Sequence, residues 1–211
     1  MKISKYWVIL ILFFSLPILS IGQTTKIEEI SKHHVGIQLS GSSNGLQFSN
    51  TQGIKTNYAK RFSPGWGMAY AYKEGVFLGE VNVGFSGFES YLNTTEVQTN
   101  VSMDFMRTAI KGSVLLFKGP VHFKLGVGFG SGHILSGVQK INTTTSELNY
   151  KSTELAFLGD VGLVFQPNSK TLIQFCYAFR KGLSNLENSL DQLQKTTTTS
   201  NGIQATIYFG F

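Results

Sequence analysis

Large apolar residues recur at every second position through most of the chain. Val35, Ile37 and Leu39 alternate with Gly36, Gln38 and Ser40. Trp66, Met68, Tyr70 and Tyr72 alternate with glycine and alanine. The same alternation runs through 77–86, 106–116, 121–130, 154–165, 173–180 and 202–211. A period of two belongs to a strand whose faces meet different surroundings. The pattern predicts eight strands of roughly 9–15 residues each, longer than the ~5–6 usual in soluble sheets. A strand tilted across a lipid bilayer needs about 9–11.

The connections alternate too. Those at 73–75, 118–120 and 166–170 are tight, whereas 43–64, 91–101, 136–153 and 183–200 read as long polar loops. Short turns at one end and long loops at the other mark an outer-membrane barrel, with the short turns and both termini on the periplasmic side. One face of each strand carries Phe, Tyr, Trp, Val, Ile and Leu; the other carries small or polar residues. A soluble eight-stranded barrel would turn the bulky set inward, where it would crowd a narrow lumen. The apolar face is therefore expected to meet lipid, which demands a closed barrel with no unpaired edge. The expected fold is all-β, an eight-stranded antiparallel up-and-down transmembrane barrel. A soluble β-sandwich with one wet face is the alternative, and its strands are ordinarily shorter.

Composition narrows the classes further. Of 211 residues, 14% are charged and 13% aromatic, with 23 glycines and a single cysteine. Disordered chains and coiled coils do not look like this, and a disulfide scaffold needs more than one cysteine. The formal net charge is +6, of which Lys2 and Lys5 supply two units. No basic cluster with interleaved aromatics suggests nucleic acid.

Those two lysines open a segment whose apolar stretch, 7–19, ends at Ser20-Ile21-Gly22. This is the layout of a cleaved secretory signal, too short for a membrane anchor. The expected organisation is a signal peptide at 1–22, a short periplasmic lead at 23–33 and the barrel at 34–211.

Several segments carry a family resemblance: GWGMAYAY, then FLGEVNVGFSGFES, LGVGFGSG, YAFRKGLSNL and the closing ATIYFGF. In this order they resemble the PorT-like outer-membrane β-barrel proteins of Bacteroidetes. The resemblance covers the mature chain but lacks the proline many relatives carry in the fourth strand. It implies a place in the outer membrane and admits a role in secretion or small-solute transport. Phe211, with Phe209 before it, resembles the C-terminal aromatic signal read by the barrel-assembly machinery.

Alternation sends Glu80, Arg107, Lys111, Lys124, Glu154, Asp160 and Arg180 into the lumen, with Gln38, Asn82, Gln174, Gln204 and Tyr208. Charges there should pair. Glu80 and Asp160 are expected within a cluster of Arg107, Lys111, Lys124 and Arg180 that plugs the barrel. A cation-lined conduit for anions is the functional counterpart of that plug. Ser131, His133 and Ser136, with Glu89 or Glu154 to orient the histidine, form the one arrangement that resembles a hydrolase triad. No G-x-S-x-G elbow accompanies it, and no enzyme is expected. His33 and His34 are adjacent, so in a strand they face opposite ways and make a poor metal site. No metal or other cofactor is anticipated, and Cys176 reads as a small buried thiol. Thr-rich runs at 142–146 and 195–201 read as flexible loops. Leu183, Leu186, Leu190 and Leu193 suggest a short amphipathic helix between them. Loops 136–153 and 184–200 are the candidate surface for a protein partner.

Overall fold

The structure, a computed structural model, describes residues 31–49, 55–93, 98–117, 119–147, 150, 153–186 and 195–211. The signal segment, most of the N-terminal lead, and Leu190 and Leu193 lie outside them. In chain order the strands are β1 (His33–Ser49), β2 (Lys55–Asn57), β3 (Ala59–Glu74), β4 (Phe77–Asn93) and β5 (Gln98–Leu116). They continue as β6 (Val121–Ile141), β7 (Thr144–Glu147), β8 (Thr153–Asn168), β9 (Thr171–Gly182) and β10 (Lys195–Gly210). Eight are long. Each pairs antiparallel with its chain neighbour among the long strands, and β10 pairs with β1 from His34↔Gly210 to Ser49↔Lys195. The sheet is thereby closed on itself, with every long strand paired on both sides.

The facing follows the alternation. Ile37, Ile110, Phe129 and Ile203 are 63%, 68%, 66% and 67% exposed, among the largest values in an outward apolar belt. Their sequence neighbours Gln38, Lys111, Gly130 and Gln204 turn inward. An apolar surface this continuous is far beyond what a water-soluble protein exposes. It is the lipid-facing wall of a membrane-spanning barrel. Aromatic pairs reinforce it: Trp66 with Phe85 at 5.2 Å between ring centroids, and Phe129 with Phe157 at 5.8 Å. Where glycine faces outward at Gly159, the Phe179 ring from β9 lies over it, occupying the space a Cβ would take.

The short turns are as expected; Gly75 takes φ +59° in the two-residue link between β3 and β4. The long connections are not. Most of 43–64, 91–101 and 136–153 is strand. β6 alone runs for 21 residues, and β7 folds back on it through a turn at Asn142, whose φ is +51°. The Thr-rich runs 142–146 and 195–201 lie largely in β7 and β10. A ladder whose register is already set continues through polar residues, because backbone pairing needs no apolar face, and threonine favours the extended chain. Leu183 and Leu186 follow β9 in non-helical backbone, Leu183 exposed and Leu186 buried.

Among the described residues the register shifts in three places; one, between Phe165 and Asn168, adjoins the β8–β9 turn, and two interrupt the wall. Between Lys60 and Gly65 the β3–β4 ladder shifts register. Between β5 and β6, Asp104 faces Ser136 while Phe105 faces Ile134, leaving Leu135 as a bulge. At the first break side chains replace backbone bonds. Asn44 donates to the Gly87 carbonyl at 3.4 Å, the Leu46 amide donates to Ser90 Oγ at 3.2 Å, and Ser90 donates to the Ala59 carbonyl at 3.1 Å.

Candidate functional site in the barrel lumen

The lumen is filled in layers. Nearest the short turns, Ala69, Ala71, Leu78, Leu115, Val164, Leu172 and Tyr208 form an apolar layer. At the long-hairpin end, Leu46, Phe88, Val101, Met103 and Phe105 form a second, with Tyr58, Ile134 and Tyr150 against it. Phe88 and Phe105 meet edge to face, 6.0 Å apart. The expectation of a lumen lined only by small and polar residues is thus corrected. Bulky side chains fit at the two ends, stacked in layers as narrow barrels allow.

Ionised side chains occupy the span between. Lys111 donates to Asp160 Oδ2 at 2.6 Å, and Lys124 donates to Glu80 and lies 3.2 Å from Asp160 Oδ1. Lys111 also stands 3.7 Å from Glu80. Tyr208 donates to Glu80 Oε1 at 2.7 Å and Ser113 to Oε2 at 3.3 Å. In the orientation that satisfies both its groups, the Gln174 amide donates to Glu80 at 3.1 Å and accepts from Lys124 at 2.6 Å. Glu80, Lys111, Lys124 and Asp160 are all buried. Two carboxylates therefore face two ammonium groups, and hydroxyl and amide partners take up remaining hydrogen-bonding capacity, the condition under which buried charge is tolerable.

Register places Arg180 elsewhere. It pairs through Nη2 with Glu154 Oε2 at 3.1 Å, and Thr198 donates to the other carboxylate oxygen. Arg107 joins neither group by an ion pair; its guanidinium lies over the Phe105 ring at 4.8 Å. The single cluster expected from the sequence is thus two clusters and a separate arginine. Glu154, Tyr208, Gln174, Ser113 and Thr198 are members outside the cluster expected from the sequence. Parity alone turns Glu154, Gln174 and Tyr208 inward.

The hydrolase arrangement does not assemble. Ser131 shares a hydrogen bond with Thr108 Oγ1 at 2.8 Å, and His133 is exposed outside. Glu154 is buried in the lumen and Glu89 stands 3.7 Å from Arg61, so neither orients that histidine. Ser136 donates to Asp104 at 2.8 Å. His33 contacts the Tyr70 hydroxyl at 2.6 Å, while the neighbouring His34 is buried, so the two do not converge. Cys176 is buried. Phe209 and Phe211 are exposed, Phe211 stacking on His33 with centroids 6.1 Å apart.

No family model matches the chain, and no curated protein matches it. Among solved structures it is similar to the outer membrane protein OprG from Pseudomonas aeruginosa. That match has 9% identity, covers 86% of this chain and 97% of the other, and has a TM-score of 0.52. It is also similar to Neisserial surface protein A, at 12% identity over 84% of this chain and 97% of the other, with a TM-score of 0.48. The attachment invasion locus protein Ail of Yersinia pestis matches at 12% identity over 84% of this chain and 99% of the other, with a TM-score of 0.40. At 9% identity the OprG likeness concerns the fold alone.

Proposed function

We propose that this chain is an integral outer-membrane barrel with a closed lumen, acting through the hairpins that extend beyond the lipid belt. The observation that carries the reading is the layered filling. An apolar layer at each end and paired charges between them leave the outward hairpins as the part able to engage a partner. Those hairpins are paired β-structure, with Val138, Lys140 and Ile141 exposed on β6. Such a surface is preorganised, which lowers the ordering cost of binding a protein or cell-surface ligand. Export by a cleaved signal at 1–22 and insertion by the assembly machinery through Phe209 and Phe211 belong to the same proposal. So does kinship with the PorT-like barrels, which rests on the order of the segments quoted above.

Two measurements test it. Reconstituted in planar bilayers, the protein is expected to give no current above background; steady conductance would favour the transport reading. Lys140→Cys is expected to react with a membrane-impermeant maleimide on intact cells, and Lys170→Cys only after permeabilisation. Cys176 is buried, so the parent protein serves as the unlabelled control. Labelling in the reverse order would place the hairpins in the periplasm and end the surface role.

A further inference from the structure

Arg107 forms no ion pair with any charge among the described residues of the lumen. Its Nε and Nη2 are buried, with no hydrogen-bond partner among the described residues. Among the described residues between the apolar layers, three carboxylates (Glu80, Glu154 and Asp160) face four cations (Lys111, Lys124, Arg180 and Arg107). The excess is one positive charge. An unpaired buried cation is costly, far more so than a paired one.

Arg107 also borders a cavity of about 140 Å³. Its wall carries the hydroxyls of Ser40 and Ser200 and the amides of Gln38, Asn82 and Gln204, with Arg180 alongside. Hydroxyls and primary amides can all donate hydrogen bonds. Beside the cavity, two glycines leave the Arg180 guanidinium its place. Gly132 lies opposite Arg107 in register, and a Cβ there would come within 3.2 Å of Arg180 Nη2 and 3.0 Å of the Phe105 ring. Gly130, next on the same face, would bring a Cβ within 3.3 Å of Arg180 Nη1. Two glycine positions on one face thus hold room for the Arg180 guanidinium.

We propose that this cavity is a binding site for one small monovalent anion, of the size of chloride or formate, held by Arg107. The charge excess sets the valence, and the volume sets the size: a water occupies about 30 Å³ of liquid, so a small ion with a few waters fills the space. Asp160 also borders the cavity, but Lys111 and Lys124 hold its carboxylate, so the anion belongs at the Arg107 end. Apolar clusters stand toward both ends of the barrel from the cavity, which sets this site apart from an open conduit.

The test is to refold the full mature chain into detergent micelles in sodium chloride, sodium formate or sodium gluconate at equal ionic strength. The readout is the temperature of the heat-modifiable shift on gels. Chloride, formate or both are expected to raise it by several degrees over gluconate, which is too large to enter; which of them acts tells halide from carboxylate. Arg107→Gln is expected to abolish the difference while being at least as stable as the parent in gluconate. A parent indifferent to the anion, or a difference that survives Arg107→Gln, would overturn the proposal. Should that variant not fold, crystals of the parent grown in bromide decide by anomalous scattering. A peak beside Arg107 is expected, and its absence would leave the cavity to water alone.

Discussion

The two charged clusters of the lumen solve one problem with different margins. In the cluster nearer the short turns, two carboxylates meet two ammonium groups, and Tyr208, Ser113 and Gln174 add neutral partners. In the cluster nearer the hairpins, Glu154 alone faces Arg180, with Arg107 within its electrostatic reach. The first is balanced and has no spare partner. The second has a surplus cation. Balance makes a buried network strong as a whole and intolerant of any single loss, while surplus makes it adaptable.

Replacing one member of the balanced cluster should have the largest effect. Lys124→Met leaves Glu80 and Asp160 sharing Lys111, and is expected to lower stability by about 3–5 kcal/mol, the usual result of orphaning a buried charge. The urea midpoint in phospholipid vesicles measures it, and adding Glu80→Gln should restore much of the loss. An unchanged midpoint in the single variant would show that the cluster is not energetically coupled. Arg180→Met should cost less, about 1–3 kcal/mol, because Arg107 remains to face Glu154. A loss equal to that of Lys124→Met would erase the distinction between the clusters. Thr198→Val removes one hydroxyl from the Glu154 carboxylate and is expected to cost about 1.5 kcal/mol, the low end for a hydrogen bond to a charged group.

The smallest effect belongs outside the lumen. Lys32 and Glu74 pair at 2.8 Å, both more than half exposed. The bonds from Lys32 and Tyr72 hold the Glu74 carboxyl below its ordinary range. The stabilisation this implies is present above the ordinary carboxylate pKa and lost as pH falls through the lowered one. Solvent screening makes an exposed pair weak. Lys32→Ala should leave the midpoint unchanged at pH 7 and at pH 4 within error, and a shift comparable to that of Thr198→Val would contradict the ranking.

The wall of this barrel was legible in the sequence and its interior only partly so, for a geometric reason. Alternation reports which way a side chain turns, and Ile37, Ile110 and Ile203 turn outward as their parity requires. It does not report height along the barrel axis. Height depends on the stagger between strands, and only the pairing reveals it: Leu158 opposite Arg180, and Gly132 opposite both Arg107 and Glu154. That stagger separates Arg180 from Asp160 and hands it Glu154. The polar hairpins look like loops in the sequence for a related reason. Their strand character comes from ladders begun elsewhere, so Thr196 and Thr198 are buried strand residues despite their loop-like composition.

The register break between β3 and β4 divides the barrel unequally. Elsewhere around the ring neighbouring strands are laced by long runs of paired backbone, but the break removes the pairing toward β4 from four successive residues of β3, 61–64, one of them Pro64. Asn44 and Ser90 cross this seam as side-chain stitches. A closed cylinder distributes strain evenly only while its joints are equivalent. Here a stretching or twisting load, such as a thinner bilayer imposes, concentrates on the seam, and amide exchange there should run ahead of the opposite wall, where β6 and β8 pair without a shift from Val121 to His133.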